Sequence, residues 1–363
     1  MKNLLLAFSI ILSTNLFCQN DEKIFDNLVS NDSSSVPSLF IYNDSVRTAV
    51  LIASTYPQGF VRLSEIQKTS SAAFLKTISK FNHSKQKQLW EITRYPGLTT
   101  LLIQNKDKSE KELGALIKHY PEKIISPAIY FAKKKYATLV DIANIHSEFE
   151  AHYKNVIIDF PDFVKHSFDI LLNYPELLTI LSENMKTTVT LGDLYKRNPQ
   201  MIKRKVDSLN TEITKANGIE YEDWKKGISN DTTVQKELKQ ISKKYSKDLE
   251  ADDVYDGDEY DENITIELTP YPYWAGYPYW YGRNYWYPNP WWFQLGFYWP
   301  LDGGMMFFGL PSYHFGWWYY NQPRYYSRHP HTSNYFYQHY NGHRNSNSGL
   351  NRSTRESYRG RRK

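Results

Sequence analysis

Between Asp44 and Lys247 apolar residues recur at helical intervals, and no stretch alternates convincingly as a strand. Val46, Ala49, Val50 and Ala53 share one face, behind an Asp44 or Ser45 whose side chain can accept from the free amides of a first turn. Phe74, Ile78 and Phe81 keep the i, i+4, i+7 interval. The longest stripe, Ile202, Val206, Leu209, Ile213 and Ala216, opens at Asn198-Pro199 and is expected to stop at Asn217-Gly218. Val234, Leu238, Ile241 and Tyr245 mark a last amphipathic helix with Lys on its other faces. The pattern predicts an all-α fold, an irregular helical bundle or solenoid of short Pro-started helices, over residues 44–248.

The helices are punctuated by one device. A bulky or polar residue precedes proline at Tyr56-Pro57, Tyr95-Pro96, Tyr120-Pro121, Phe160-Pro161, Tyr174-Pro175 and Asn198-Pro199. Proline holds the residue before it out of the α region, and at the first position of a helix its missing N–H had no partner to lose. Each pair therefore reads as the joint between two helices. Ser109-Glu110-Lys111-Glu112 reads as a capping box, and Thr190-Leu191-Gly192-Asp193 as a second helix start. The joints are unevenly spaced, which favours packed helical hairpins over a regular repeat array.

The flanks differ in kind. Met1–Cys18 has Lys2 followed by an apolar run from Leu4, the layout of a signal peptide, with cleavage expected between Cys18 and Gln19. Lipid anchoring at Cys18 is the alternative, disfavoured by the large Phe17 before it. Cys18 is the one cysteine, so a cleaved chain has no disulfide and must rest on its packed core. Residues 19–43 are polar and expected to be flexible. Residues 249–263 carry Asp252, Asp253, Asp256, Asp258, Glu259, Asp261 and Glu262, whose order does not fit an EF-hand, and read as a solvated acidic linker. Ile264–Leu268 alternates like a short strand.

Residues 264–323 form an aromatic Tyr/Trp/Pro/Gly-rich segment holding eight of the ten tryptophans: Trp274, Trp280, Trp286, Trp291, Trp292, Trp299, Trp317 and Trp318. Its prolines rule out one membrane-spanning helix. Trp291–Trp299 and Met305–Leu310 are expected to pair as a hairpin about Pro300–Gly304. Indole and phenol faces suit sugar rings, the water–lipid boundary or a protein partner. The same rings could equally bury one another, cover the helices, or drive self-association. Beyond Pro323 a basic tail, residues 324–363, carries eight arginines and Lys363 against Glu356 alone, and is expected to be disordered and drawn to anionic surfaces.

Charge and chemistry narrow the function. The formal net charge of +5, one less without Lys2, is too small to argue for specific nucleic-acid binding. His146/Glu150 and Glu148/His152 stand at i, i+4, a spacing that suits metal ligation or ordinary surface pairs, but the two pairs lie about 200° apart around a helix. The His329-Pro330-His331 tract offers loose metal capture. No nucleophile elbow, phosphate loop or His-Glu-x-x-His occurs, so no catalytic residue, bound metal or cofactor is assigned. The chain reads as a secreted non-enzymatic envelope protein showing an aromatic platform and basic tail to envelope glycan, an anionic surface or a protein partner. The alternatives are a cell-wall enzyme with its site among the helices, or a metal-sequestering protein using the tail histidines.

Leu172-Asn173-Tyr174-Pro175-Glu176-Leu177-Leu178, Leu181-Ser182-Glu183-Asn184 and Thr190-Leu191-Gly192-Asp193-Leu194-Tyr195 resemble the signature of a secreted bacterial family, the domain of unknown function DUF3300. Leu51–Pro57 is similar to that family's opening helix. The stretch from Lys80 to Tyr153 is longer than the family pattern, and Thr187 stands where the family usually has Trp. The resemblance implies a helical fold and an exported protein of the periplasm, outer membrane or exterior, and supplies no catalytic residues.

Overall fold

The computed structural model describes residues 20–31, 35–249, 270–278, 297–298, 306–307, 315, 319 and 324–342. α1 (20–31) and α2 (Ser35–Leu39) lead into α3 (Asp44–Ser54) and α4 (Pro57–Ile78). α5 (His83–Thr93), α6 (Pro96–Gln104), α7 (Glu110–Leu116) and α8 (Glu122–Lys134) intervene before α9 (Tyr136–Ile157). α10 (Asp162–Leu172), α11 (Pro175–Glu183) and α12 (Met185–Arg197) follow, then α13 (Pro199–Ser229) and α14 (Thr232–Leu249). β1 (Phe297–Tyr298), β2 (Met306–Phe307), α15 (Tyr325–Arg328) and α16 (Pro330–Gly342) complete the described elements. The architecture is an all-α bundle.

Its spine is α4 against α9, 22 residues each, with α3 packed on α10 and α12 at one end and α5, α6 and α8 gathered at the other. Aromatic rings join α4 to α10 and to α5. Phe60 meets Phe168 at 4.9 Å between ring centroids, and Phe74 meets Trp90 edge-on at 4.7 Å. Gly192 shows why a motif residue is fixed by packing: a Cβ there would fall 2.0 Å from the Ser54 carbonyl oxygen, so only glycine lets α12 lie against the end of α3.

The proline joints form in two geometries. Tyr56, Tyr95, Tyr174 and Asn198 cap helices whose first residue is the proline, and Tyr56, for example, has φ −124° and ψ 62°. At Tyr120-Pro121 and Phe160-Pro161 the proline itself is the cap, with ψ 138° and 149°, and the helix opens one residue later. Both place the absent N–H where no helical bond was needed. The Ser109 capping box is present, with Ser109 N–H donating to Glu112 Oε2 at 2.8 Å and Glu112 N–H to Ser109 Oγ at 3.3 Å.

Several expectations are corrected. Residues 20–31 and 35–43 are folded, because Phe25, Val36, Leu39 and Phe40 are buried in the core behind a polar exterior. Asp21 pairs with Arg197 at 2.8 Å, and Lys205 with Glu22 and Asp26 at 2.7 and 3.1 Å, fastening α1 to α12 and α13. The cap of α3 is Asn43, whose Oδ1 accepts from Val46 N–H at 3.1 Å. Thr190 lies inside α12, its hydroxyl donating back to Lys186 O at 2.8 Å. α13 runs through Gly218 for 31 residues, since Trp224 and Ile228 continue the buried stripe. In the tail, Tyr325–Arg328 and Pro330–Gly342 are helical where disorder was expected. The hairpin pairs antiparallel, Phe297 opposite Phe307 and Tyr298 opposite Met306. The leader with Cys18, the acidic run 250–263, Ile264–Leu268 and the last residues of the tail lie outside the described residues.

Candidate functional site

Tyr271 to Tyr277 cross back over the bundle as a strap against α4. The segment has little structure of its own, one 3₁₀ turn over Tyr273–Ala275, so its polar groups depend on the host. Ser70 of α4 donates to the Trp274 carbonyl at 2.6 Å. Tyr271 donates its hydroxyl to Glu91 and lies edge-on to Trp90 at 5.5 Å, while the Arg94 guanidinium sits 5.1 Å from its ring centre. Arg94 is buried and also pairs with Glu91 at 2.9 Å, so the cation is satisfied from two sides. Gly276 leaves the turn at φ 77°, ψ −147°, which residues with a Cβ avoid, and a Cβ would meet Gln67 Nε2 at 3.0 Å.

Trp274 is the pin of the strap. It is 4% exposed, edge-on to Phe74 at 5.5 Å and tilted over the His146 ring at 5.3 Å. Its Nε1 is buried and meets no acceptor among the described residues, so packing alone holds that edge. Beside it opens a cleft of about 250 Å³. One wall comes from the α5–α6 joint, with Thr93, Gly97, Thr99 and Thr100. The other is the face of α9 that carries Ile142, His146, Ser147 and Glu150, and Trp274 closes the end. His146 Nε2 is 3.5 Å from Glu150 Oε1. Burial holds the imidazole below its ordinary pKa, and the Glu150 charge opposes that shift, leaving a neutral ring at neutral pH. The cleft thus offers a ring nitrogen, a carboxylate and four hydroxyls, with no Lys or Arg among its lining residues.

A second contact lies downstream. Trp224 of α13 stacks on Phe336 of α16, centroids 5.2 Å apart and planes 8° apart, and Tyr335 donates to the Trp224 carbonyl at 3.1 Å. Phe315 and Tyr319 are buried against the same ring, with Tyr319 OH 2.6 Å from Ser333 Oγ. Glu237 of α14 accepts from Thr332 N–H at 2.7 Å, placing a carboxylate at the amino end of α16. His329 is buried there; burial lowers its pKa, Arg328 lowers it further and Glu237 opposes.

Of the eight expected platform tryptophans, Trp274 alone is described, and it is enclosed by the helices rather than displayed; Phe74 and His146 occupy its two sides. Trp280, Trp286, Trp291, Trp292, Trp299, Trp317 and Trp318 lie outside the described residues. His146 and Glu150 come together on the cleft, whereas Glu148 and His152 are exposed on another face of α9. His329 is buried and His331 exposed, and no group of three or more metal-ligating side chains occurs among the described residues. Sequence reasoning missed the threonines of the cleft. Thr93, Gly97 and Thr100 are spaced i, i+4, i+7, but the Tyr95-Pro96 joint hides that they face one space. Among the described residues no helix is long and apolar enough to cross a membrane.

Comparison of the chain with known protein families, with curated proteins and with solved structures finds no match.

Proposed function

We propose that this chain is an exported, non-enzymatic protein of the bacterial envelope whose helical bundle tethers a tryptophan-dense segment for contact with envelope glycan. The observation that carries this is the pair of anchors. The strap at 271–277 and the Phe315–Phe336 contact bracket Trp280, Trp286, Trp291, Trp292 and Trp299, so the stretch that bears them is fixed to the bundle at both ends. Fixing the ends of a segment reduces the freedom it must surrender when it binds, which raises affinity without any new contact. Flat indole faces with a polar edge match the alternating apolar and hydroxyl faces of sugar rings. The arginines beyond residue 342 add an attraction to anionic polymer or lipid of about 1 kcal/mol each, screened by salt.

Export itself is read from the Met1–Cys18 leader, and kinship with DUF3300 from the Tyr174-Pro175-Glu176 and Leu191-Gly192-Asp193 signatures. Both belong to the proposal. Supporting a structural role for the signature, Glu176 is buried and accepts from the Tyr42 hydroxyl at 2.7 Å, tying α11 to the approach to α3.

The test replaces residues 279–314 by a Gly/Ser linker of equal length, keeping both anchors, and follows sedimentation with purified cell-wall glycan at low and high salt. Loss of sedimentation that the intact chain retains at high salt is expected. Unchanged sedimentation removes the proposal. Release of soluble sugar fragments during the assay overturns the non-enzymatic part and moves attention to the His146–Glu150 pair.

A further inference from the structure

The strap's hydrogen bonds, to Ser70 and Glu91, lie away from the cleft at its end, and of the cleft's lining His146 also meets the strap, through its ring contact with Trp274. The cleft's composition selects among ligands. An anion is disfavoured, because the lining holds a carboxylate and no Lys or Arg. A metal ion is disfavoured, because His146 and Glu150 are two ligands and no third joins them among the described residues. An apolar ligand would strand the hydroxyls of Thr99, Thr100 and Ser147 and the Glu150 carboxylate, each costing about 1–3 kcal/mol if buried without a partner.

What remains is a neutral molecule dense in hydroxyls, which both gives and takes hydrogen bonds. The cleft supplies both complements. Glu150 accepts two hydroxyls side by side, neutral His146 offers one donor and one acceptor, and the threonine and serine hydroxyls rotate to suit. Ile142 and the edge of Trp274 supply an apolar wall for ring C–H groups. Size is the second filter. At about 250 Å³ the cleft lies under the roughly 300 Å³ at which pockets begin to enclose drug-sized ligands, so what it encloses is about one sugar ring.

We infer that this cleft binds a single neutral sugar residue, with Glu150 and His146 as its hydrogen-bonding partners and Trp274 as its end wall. The inference names a site separate from the tryptophan-dense segment and stands if that segment binds no glycan. It also makes the site conditional on the strap, since Trp274 arrives from more than a hundred residues away in sequence.

The experiment is saturation-transfer NMR on the full chain with three probes of one ring shape: methyl β-D-glucoside, glucosamine as cation and glucuronate as anion. Transfer to the neutral glucoside, with glucuronate at least tenfold weaker, is expected. Glu150→Gln, at an exposed position that leaves the core intact, should weaken the glucoside at least tenfold, and Thr99→Val should weaken it severalfold. No transfer to the glucoside overturns the inference. Glucosamine bound tighter than the glucoside overturns it in favour of a cation site. Glucoside binding untouched by Glu150→Gln also overturns it, because the sugar then sits elsewhere, as on the tryptophan-dense segment. Glucoside binding that survives replacement of 279–314 but is lost in Glu150→Gln supports the cleft, whatever that replacement does to sedimentation with cell-wall glycan.

Discussion

The two places where the aromatic part meets the bundle solve one problem by opposite means. The strap has almost no internal hydrogen bonding, so α4 and α5 satisfy it: Ser70 takes the Trp274 carbonyl and Glu91 takes the Tyr271 hydroxyl. The downstream contact brings its own helix, and α14 need only cap it through Glu237. Ring geometry does not separate them: packing is edge-on around Trp90, Phe74 and Trp274 at the strap, and downstream the parallel stack of Trp224 on Phe336 is joined by edge-on contacts of Phe336 with Phe315 and Tyr319. The lesson is that irregular chain is held by specific polar hosts, whereas a helix is held by one large apolar face.

The comparison can be broken at either end. Trp224→Ala should cost about 3–5 kcal/mol in chemical unfolding, as for other buried aromatic truncations. The cost should fall in a chain ending at residue 249, where Phe336 and Tyr335 are absent; an equal cost in both chains would mean that the stack contributes nothing. Gly276→Ala should cost about 1–3 kcal/mol through its backbone conformation, and should release the strap without touching α16. Proteolysis within 270–278 reads the release; a variant as resistant as the parent contradicts the required turn. Ser70→Ala leaves the buried Trp274 carbonyl without its donor and should cost about 1 kcal/mol, again confined to the strap by hydrogen exchange.

The smallest effect sharpens what the anchors share. His146 under the strap and His329 beside α16 both have pKa values lowered by burial. The fold therefore favours the neutral rings, and between the lowered values and the ordinary histidine value of about 6.5 the unfolded chain holds more protons. Stability from both anchors is complete above about pH 6.5 and declines as pH falls through that value toward the lowered ones. Glu150 faces His146, and Glu237 and Arg328 act on His329. His146→Gln should flatten the acid loosening of the strap while leaving that of α16. Loosening of the strap unchanged by this variant would assign the effect elsewhere.

The helices were legible because their apolar intervals and proline joints are local. Phe74 with Ile78, Ser109 with Glu112 and Tyr174 with Pro175 each specify an element within a few residues. What failed was also local in appearance. Residues 20–43 look polar because Phe25, Val36, Leu39 and Phe40 are thinly spread among Asn, Asp and Ser, and only their shared burial reveals a core. Gly218 looked like a stop, but Trp224 and Ile228 outweigh the roughly 1 kcal/mol that a mid-helix glycine costs. Half of the cleft was visible as His146 and Glu150 on one helical face. The rest was not, because Thr99, Thr100 and Trp274 arrive from other elements and no spacing rule links them to α9.

Amide hydrogen exchange across residues 270–342 of the full chain tests the tethered arrangement most directly. Protection at Ala275 and Gly276, whose N–H groups close the turn onto Pro272 and Tyr273, and at Thr332 and Ser333 is the result this account predicts. Exchange of all four at the rate of free chain would show that neither anchor holds, and would contradict it.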